Sequence, residues 1–83
     1  MSITILYFAS LREALGVAQE HIELPAGTDD VAKLRQHLQA RGSQWMPLSA
    51  PRLRVAVNQV LARDGSAVAD GDEVAFFPPV TGG

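Results

Sequence analysis

The residues best suited to chemistry in this sequence are the last two, Gly82 and Gly83. Neither carries a Cβ atom, so together they can enter a channel that is too narrow for larger residues. With Gly83 as the chain end, its carboxylate has an ordinary pKa of about 3.3–3.7 and is therefore ionised and unreactive at neutral pH. Adenylation by ATP would give the carboxylate a leaving group, and a sulfur donor could then displace AMP to form a thiocarboxylate. The pair is therefore compatible with a carrier whose working group is the Gly83 carboxylate.

The residues before the glycine pair indicate an extended arm over 78–83. Pro78 and Pro79 lack the backbone donor that a sheet needs, and they favour an extended course. From Pro79 to Gly83 the chain can span roughly 16–18 Å when fully extended. Gly-Gly alone is equally typical of an idle chain end, but an apolar strand followed by two prolines and a terminal Gly-Gly favours a functional arm. The residues expected to insert into a partner are Pro78, Pro79, Val80, Thr81 and Gly82.

The side chains offer little other chemistry. The sequence has no cysteine, which excludes thiolate metal sites and a side-chain persulfide. His21 and His37 have no ligand partner at metal-binding spacing, and the aspartates at 29–30 and 70–72 suit a helix start and a turn. No GxxxxGKS/T or GxGxxG phosphate-binding motif occurs. We expect no metal and no cofactor bound by this chain, with ATP held by an activating partner.

Composition bounds the remaining functions. The chain has 83 residues, which suits a single domain over 1–83, and a formal net charge of −2 without a basic run. Nucleic-acid binding depends on clustered lysine and arginine, so it is not expected. No apolar stretch approaches the ~20 residues that span a membrane, and residues 1–9 lack the features of a secretion signal. We expect a cytoplasmic protein that binds neither nucleic acid nor membrane.

Alternating apolar residues predict the strands that would carry the tail. The expected strands are Ser2–Phe8, Gln19–Leu24, Leu53–Val57, Val60–Arg63 and Glu73–Phe77. The stretch 43–51 is expected to be irregular, with Trp45 and Met46 in a satellite core. The pattern predicts an α+β fold, in which a sheet of about five strands has one long helix packed on one face.

Capping and stop signals predict the helices. Ser10 has capping-box spacing as the N-cap of a short helix that ends at Gly16. Thr28 is the expected N-cap of the main helix, which would run for about four turns to a stop at Gly42.

Phe8 and Phe77 suggest a docking surface. Phe8 points opposite to Ile5 in the first strand, and Phe77 points opposite to Phe76 in the last. A helix covers only one face, so the uncovered face would expose Phe8, Phe77 and Leu61 beside the tail, as an interface. Alternation cannot tell which face is buried, so the reverse orientation, with both phenylalanines in the core, stays open.

Four arginines could form a small positive area. They are Arg12, Arg52, Arg54 and Arg63. A partner contact is plausible for Arg12 or Arg63, whereas a phosphate site is not indicated.

Three segments of the chain resemble the molybdopterin synthase small subunit family. Residues 70–83, DGDEVAFFPPVTGG, are similar to its C-terminal signature, and residues 57–59 and 8–13 are similar to further segments in the same order. The resemblance implies a ubiquitin-like β-grasp fold in which the first and last strands lie side by side and parallel.

The resemblance also implies a reaction sequence. A separate adenylyltransferase would activate Gly83 as a glycyl adenylate, and a sulfurtransferase or cysteine desulfurase system would convert it to 1-thioglycine, the thiocarboxylate. The loaded tail would enter the large subunit and donate sulfur to cyclic pyranopterin monophosphate. A dithiolene needs two sulfurs, so two loaded carriers are used per molybdopterin, in a heterotetramer of two small and two large subunits. The large-subunit contacts would be Phe8, Arg12, Leu61 and Phe77, and the chain would not be catalytic alone.

Three other functions stay open. A thiamine-type sulfur carrier shares the fold and the Gly-Gly end, although the Phe-Phe-Pro-Pro run favours the molybdopterin carrier. A ubiquitin-like modifier would pass through the same adenylate before joining lysines of target proteins. A plain β-grasp binding module would have an idle tail and would lose nothing when Gly83 is deleted.

Overall fold

The computed structural model describes residues 2–79, which form a five-stranded sheet with helices against it. The elements, in chain order, are β1 (Ser2–Tyr7), α1 (Ala9–Leu15), β2 (Gln19–Glu23), α2 (Val31–Gln39), a 3₁₀ segment (Ser43–Ser49), β3 (Arg54–Val57), β4 (Val60–Ala62) and β5 (Glu73–Phe77). All five predicted strands are present, and each boundary lies within one residue of its prediction.

The sheet is mixed, with strand order β2-β1-β5-β3-β4. β1 and β5 are parallel, with Ile5 opposite Val74 and Tyr7 opposite Phe76. β2 pairs with β1, β3 with β5, and β4 with β3, all antiparallel. The parallel pairing of the first and last strands confirms what the family resemblance implied, and the arrangement is the β-grasp fold.

One face of the sheet, called here the inner face, carries the core. Ile3, Ile5 and Tyr7 of β1 are almost completely buried, as are Val74 and Phe76 of β5. The helices supply the opposite side of this core with the buried residues Leu11, Val31, Leu34, Leu38, Trp45 and Leu48. The α+β class, with helical cover on one side of the sheet, is therefore confirmed.

Both predicted N-caps are wrong. The backbone at Phe8 is extended, and its carbonyl accepts hydrogen bonds from the N–H groups of Leu11 and Arg12, so α1 begins before Ser10. In α2 the cap is Asp30, whose Oδ1 accepts a hydrogen bond of 2.8 Å from the N–H of Lys33. Asp30 also forms an isolated bridge with Ala67, which holds the chain extended just before the helix.

The main helix is shorter than predicted, and it is not the only helical cover. α2 has nine residues, about two and a half turns. Beyond Gln39 the N–H groups of Arg41 and Gly42 bond three residues back, which tightens the last turn, and Gly42 then takes a φ of 145°. The stretch predicted to be irregular contains the 3₁₀ segment, which together with α1 adds to the cover of the core.

Within the 3₁₀ segment the predicted satellite core is half right. Trp45 is buried at 7% exposure and belongs to the main core, whereas Met46 is 55% exposed.

Candidate functional site

The base of the tail lies at the edge of the sheet where β1 and β5 both end. The Phe8 N–H donates to the Phe76 carbonyl at 3.2 Å, which fastens the residue after β1 to β5. Pro78 and Pro79 follow β5 and are half-buried. The predicted insertion residues Val80, Thr81 and Gly82, and the predicted reactive residue Gly83, lie outside the described residues.

An apolar patch covers the face of the sheet opposite the core. We call it the outer-face patch and define it as Leu6, Phe8, Ala56, Leu61, Ala75 and Phe77. Its middle is one row across four strands, since Leu6 is opposite Ala75, Ala75 is opposite Ala56, and Ala56 is opposite Leu61. The two central residues of the row, Ala75 and Ala56, have small side chains. The surface is therefore depressed between Leu6 and Leu61.

The exposure of the patch decides between the two orientations of the sheet. Phe8 is 45% exposed and Leu61 is 65% exposed, while Phe77 is half-buried. The outward orientation is therefore correct, and the alternative with both phenylalanines in the core is wrong. An apolar surface of this kind beside a reactive tail is typical of a protein interface, and the contact role of these residues stays a prediction.

The turn from β1 into α1 keeps Phe8 on the outer face. Ala9 adopts a φ of 53°, a left-handed conformation that is uncommon outside glycine. This residue reverses the direction of the chain, so that Leu11, two positions later, is buried in the core. Arg12 is exposed on α1, and its N–H bonds to the Phe8 carbonyl at 3.3 Å, which places its backbone close to the patch.

The β3–β4 turn positions Leu61. Asn58 and Gln59 have φ values of 51° and 69°, as a tight two-residue hairpin turn requires. The Asn58 side chain accepts from the Glu73 N–H and donates to Asp72 Oδ1, both at 3.0 Å. The turn is thereby tied to the start of β5.

A polar cluster on the inner side supports the same end of the sheet. The Tyr7 hydroxyl donates to Glu20 Oε2 at 2.7 Å, and Arg41 donates to both Glu20 oxygens at 2.8 and 2.9 Å. The hydrogen bond from Arg41 holds the pKa of Glu20 below its ordinary value. Burial, followed by the Glu20 contact, raises the pKa of Tyr7. The Arg41 guanidinium lies 3.8 Å from the centre of the Trp45 ring, a cation–π contact.

Neither a metal site nor a membrane-spanning helix is found among residues 2–79. They contain no cluster of three or more histidine, cysteine, aspartate or glutamate side chains placed to hold a metal ion. His21 is exposed and pairs with the Thr4 hydroxyl at 3.0 Å. Within the same range, no helix has the length and apolar character needed to cross a bilayer.

Two features of the site were missed from the sequence. Ala56 and Arg54 share the outer face with Phe77, and strand alternation in β3 could have placed them there. In the Tyr7–Glu20–Arg41 cluster, Glu20 is 13 positions from Tyr7 and 21 positions from Arg41. No local sequence pattern predicts such contacts.

The fold and the site together define a class of protein. A β-grasp sheet with an apolar outer face, continued by two prolines toward a Gly-Gly pair, is the architecture of a ubiquitin-like carrier. The chain belongs to the ThiS family, whose model matches residues 5–83.

Two curated relatives are similar over nearly their whole length. The chain is 45% identical to the molybdopterin synthase sulfur carrier subunit of Escherichia coli, over 98% of this chain and 99% of that protein. It is 44% identical to the subunit of the same name from Haemophilus influenzae, with the same coverage. These matches confirm the family resemblance seen in the sequence.

Solved structures agree with the fold. A small archaeal modifier protein from Haloferax volcanii superposes with a TM-score of 0.71 at 28% identity, and both chains are fully covered. A complex of subunits 1 and 2 of the molybdopterin-converting factor from Helicobacter pylori contains a chain with a TM-score of 0.67 at 23% identity, again with full coverage of both chains. The second likeness speaks for the fold alone.

Proposed function

We propose that this chain is the sulfur carrier subunit of a molybdopterin synthase, with the Gly83 carboxylate as its working group. The role of sulfur carrier in molybdenum cofactor biosynthesis is the function that the sequence predicts, and the end-to-end similarity to curated sulfur carrier subunits confirms it at that level. The observation that carries the chemical proposal is the placement of Pro78 and Pro79. They leave the sheet beside the exposed outer-face patch, so that a partner docked there would meet the arm.

The proposed chemistry begins and ends at one carboxylate. An oxygen of the Gly83 carboxylate attacks the α-phosphorus of ATP on an adenylyltransferase, and pyrophosphate leaves. A donor that delivers sulfur at the oxidation level of sulfide then adds to the acyl carbon, and AMP departs with the electron pair of the broken C–O bond. The product is a thiocarboxylate, a softer and stronger nucleophile than the original carboxylate.

The folded domain that carries the Gly83 carboxylate has a limited role in this chemistry. Residues 2–79 contain no cluster of metal-ligating side chains, and the sequence has no cysteine to relay sulfur. The domain instead presents the arm and a docking surface, while the activating enzyme, the sulfur donor and the large subunit supply the catalytic groups. In this proposal the chain is the sulfur-donating subunit of the complex.

The proposed acceptor is cyclic pyranopterin monophosphate held by the large subunit. The thiocarboxylate sulfur would attack a side-chain carbon of the acceptor and displace an oxygen group, which leaves with the electron pair of the broken C–O bond. Hydrolysis of the resulting thioester would return the Gly83 carboxylate and leave the sulfur on the acceptor. Because a dithiolene contains two sulfurs, two loaded carriers would be consumed for each molybdopterin. A heterotetramer of two small and two large subunits would bring loaded carriers to each site. The similarity to curated proteins named molybdopterin synthase sulfur carrier subunits supports a large-subunit partner of this kind.

Intact mass spectrometry tests the proposal directly. The purified chain is incubated with ATP, the activating enzyme and a sulfur source, and its mass is compared before and after. We expect one oxygen-for-sulfur exchange, which fragmentation assigns to Gly83, and a variant lacking Gly83 should show none. An unchanged mass with partners that are active on another carrier would refute the carrier role.

A second candidate is protein modification, which the likeness to a small archaeal modifier protein favours. Both functions share the glycyl adenylate, so adenylation does not separate them. Isopeptide-linked adducts between Gly83 and target lysines in cell extracts would support modification. Restoration of molybdopterin synthesis by the loaded chain together with a large subunit would support the primary proposal.

A further inference from the structure

A surface groove runs along the base of the tail. Its first part, with a volume of about 300 Å³, is mostly apolar and lies between α1 and the end of the 3₁₀ segment, where its lining includes Leu11, Ala14, Ala50 and Pro78. Its second part, with a volume of about 420 Å³, is lined by Pro51, Arg52, Leu53, Arg54 and Pro79. Leu53 borders both parts, so they lie next to each other beside two consecutive residues of the arm.

The second part of this groove carries unbalanced positive charge. Arg52 and Arg54 are exposed, and the ion pairs found within residues 2–79 belong to Lys33, Arg35 and Arg41. Because β3 runs antiparallel to β5, Arg54 lies opposite Phe77, at the end of the sheet where the tail leaves. The net charge of the chain is −2, so two exposed arginines at the edge of the groove stand out as a positive area. Such an area favours an acidic ligand.

Apart from Glu20, which is paired with Arg41, the acidic side chains of the sheet lie at its other end. β5 begins with Glu73, which follows Asp72 and Asp70, and the antiparallel β2 ends at Glu23 in register with Ser2. The strands therefore separate charge along their length, with carboxylates at the start of β5 and arginines where β5 ends. A partner approaching the tail meets the basic end first.

We propose that this groove docks a short segment of the large subunit, with an apolar side chain in the part beside α1 and carboxylates against Arg52 and Arg54. The proposal rests on the proposed function, since that function requires a partner to grip the chain where the arm begins. Pro78 and Pro79 line the two parts in turn, so a bound segment would fix the direction in which the arm leaves. Arg54 also joins the groove to the outer-face patch through its register with Phe77.

Two variants address the two parts of the groove separately. Arg52→Gln with Arg54→Gln removes the charge, and Ala14→Leu adds bulk to the apolar part from an exposed helical position. We expect each to weaken binding to the large subunit by roughly tenfold, as loss of a central interface contact does. In the arginine variant the affinity should also depend less on salt than in the wild type, because screened charge pairs are lost.

Matched control variants make the same changes in charge and in side-chain size on α2, away from the groove. Gln36→Glu with His37→Glu alters the charge by the same amount on the exposed side of α2, and Ala40→Leu adds the same bulk at its C-cap. Both should bind the large subunit as the wild type does, and all variants should keep the wild-type thermal midpoint.

Parallel loading assays keep this proposal separate from the proposed function. Failure of the wild type to accept sulfur at Gly83 would defeat the function itself. If loaded groove variants instead bind the large subunit as tightly as the loaded wild type, only the groove proposal is overturned. Faster sulfur loading in these variants, with unchanged binding, would also overturn it, because the groove would then hold the chain's own tail.

Discussion

At the scale of single residues, Glu20 connects parts of the chain that are distant in sequence. Its carboxylate accepts from the Tyr7 hydroxyl on β1 and from the Arg41 guanidinium just after α2. Arg41 in turn covers the Trp45 ring of the 3₁₀ segment. The ion pair is only partly exposed, with side-chain exposures of 19% for Glu20 and 30% for Arg41, so solvent screens it less than a surface pair.

Replacing Glu20 tests this connection. Glu20→Gln should lower the free energy of unfolding at neutral pH by about 1–3 kcal/mol, because Arg41 loses an ionised hydrogen-bond partner. The Arg41 hydrogen bond lowers the pKa of Glu20 from 4.5 in the folded protein. The stabilisation is therefore complete above that ordinary pKa and disappears as the pH falls through the lower folded value.

Urea unfolding measured from neutral pH down to about pH 2 would show this as a difference between wild type and Glu20→Gln that shrinks on acidification. Glu23→Gln is the matched control, since Glu23 is exposed on the same strand and takes no part in the ion pairs found within residues 2–79. A difference that stays constant over the whole pH range would contradict the assignment.

At the scale of elements, the outer-face patch depends on three strands and one turn delivering large side chains to the same surface. β1 leads into Phe8, β5 ends in Phe77, and the Asn58 turn sets the hairpin that carries Leu61. The patch lies opposite the core, so its large side chains are exposed or half-buried and the fold does not depend on burying them. This separation allows binding and stability to be changed independently.

Phe77→Ala should therefore weaken the complex with the large subunit while the isolated domain stays folded. Loss of a central aromatic contact typically costs 2 kcal/mol or more, roughly a 30-fold change in affinity. Isothermal titration calorimetry would measure the affinity, and circular dichroism would follow the thermal midpoint. Met46→Ala removes an exposed apolar side chain of the 3₁₀ segment instead, and it should leave the affinity unchanged. An unfolded Phe77→Ala chain, or wild-type affinity, would count against the patch as the interface.

At the scale of the whole molecule, the core formed by the described residues 2–79 ends before the arm begins at Pro78. Every buried core residue found in the structure lies between Ile3 and Phe76. Removal of residues 80–83 should therefore shift the thermal midpoint by less than about 4 °C, as expected for changes outside the core. The same truncation should abolish sulfur loading completely in the mass-spectrometric assay. A large fall in the thermal midpoint would mean that the tail also belongs to the folded core.

The sequence predicted the strands well because their signal is local. Alternation placed Phe76 and Phe77 on opposite faces of the sheet, and the structure confirms this: Phe76 is buried and Phe77 is half-buried. It could not say which face the helices would cover, since that choice depends on packing between distant segments. The helix starts at Ser10 and Thr28 were wrong for the same reason: the backbone bonds of Phe8, and the bridge formed by Asp30, fix where the helices begin.

The candidate site also has one part that the sequence could predict and another part that depends on tertiary structure. The importance of the Gly-Gly pair could be proposed from residue types alone, because the chemistry needs a slim end with a carboxylate. The groove beside the tail brings Ala14 and Ala50 together with Pro78, and this depends on tertiary structure. The positive area was noted in the sequence, but its place at the tail end required the register of Arg54 with Phe77.

The central position of β5 has a mechanical consequence. This strand is bonded to β1 on one side and to β3 on the other, and the arm continues directly from its end. A force on the arm along the axis of β5 acts in shear on the hydrogen bonds to β1 and to β3. These hydrogen bonds then resist the force together and do not break one after another. Under the proposed function, a partner that pulls on the arm would therefore load both ladders of hydrogen bonds at once, and the domain would resist unfolding from that end.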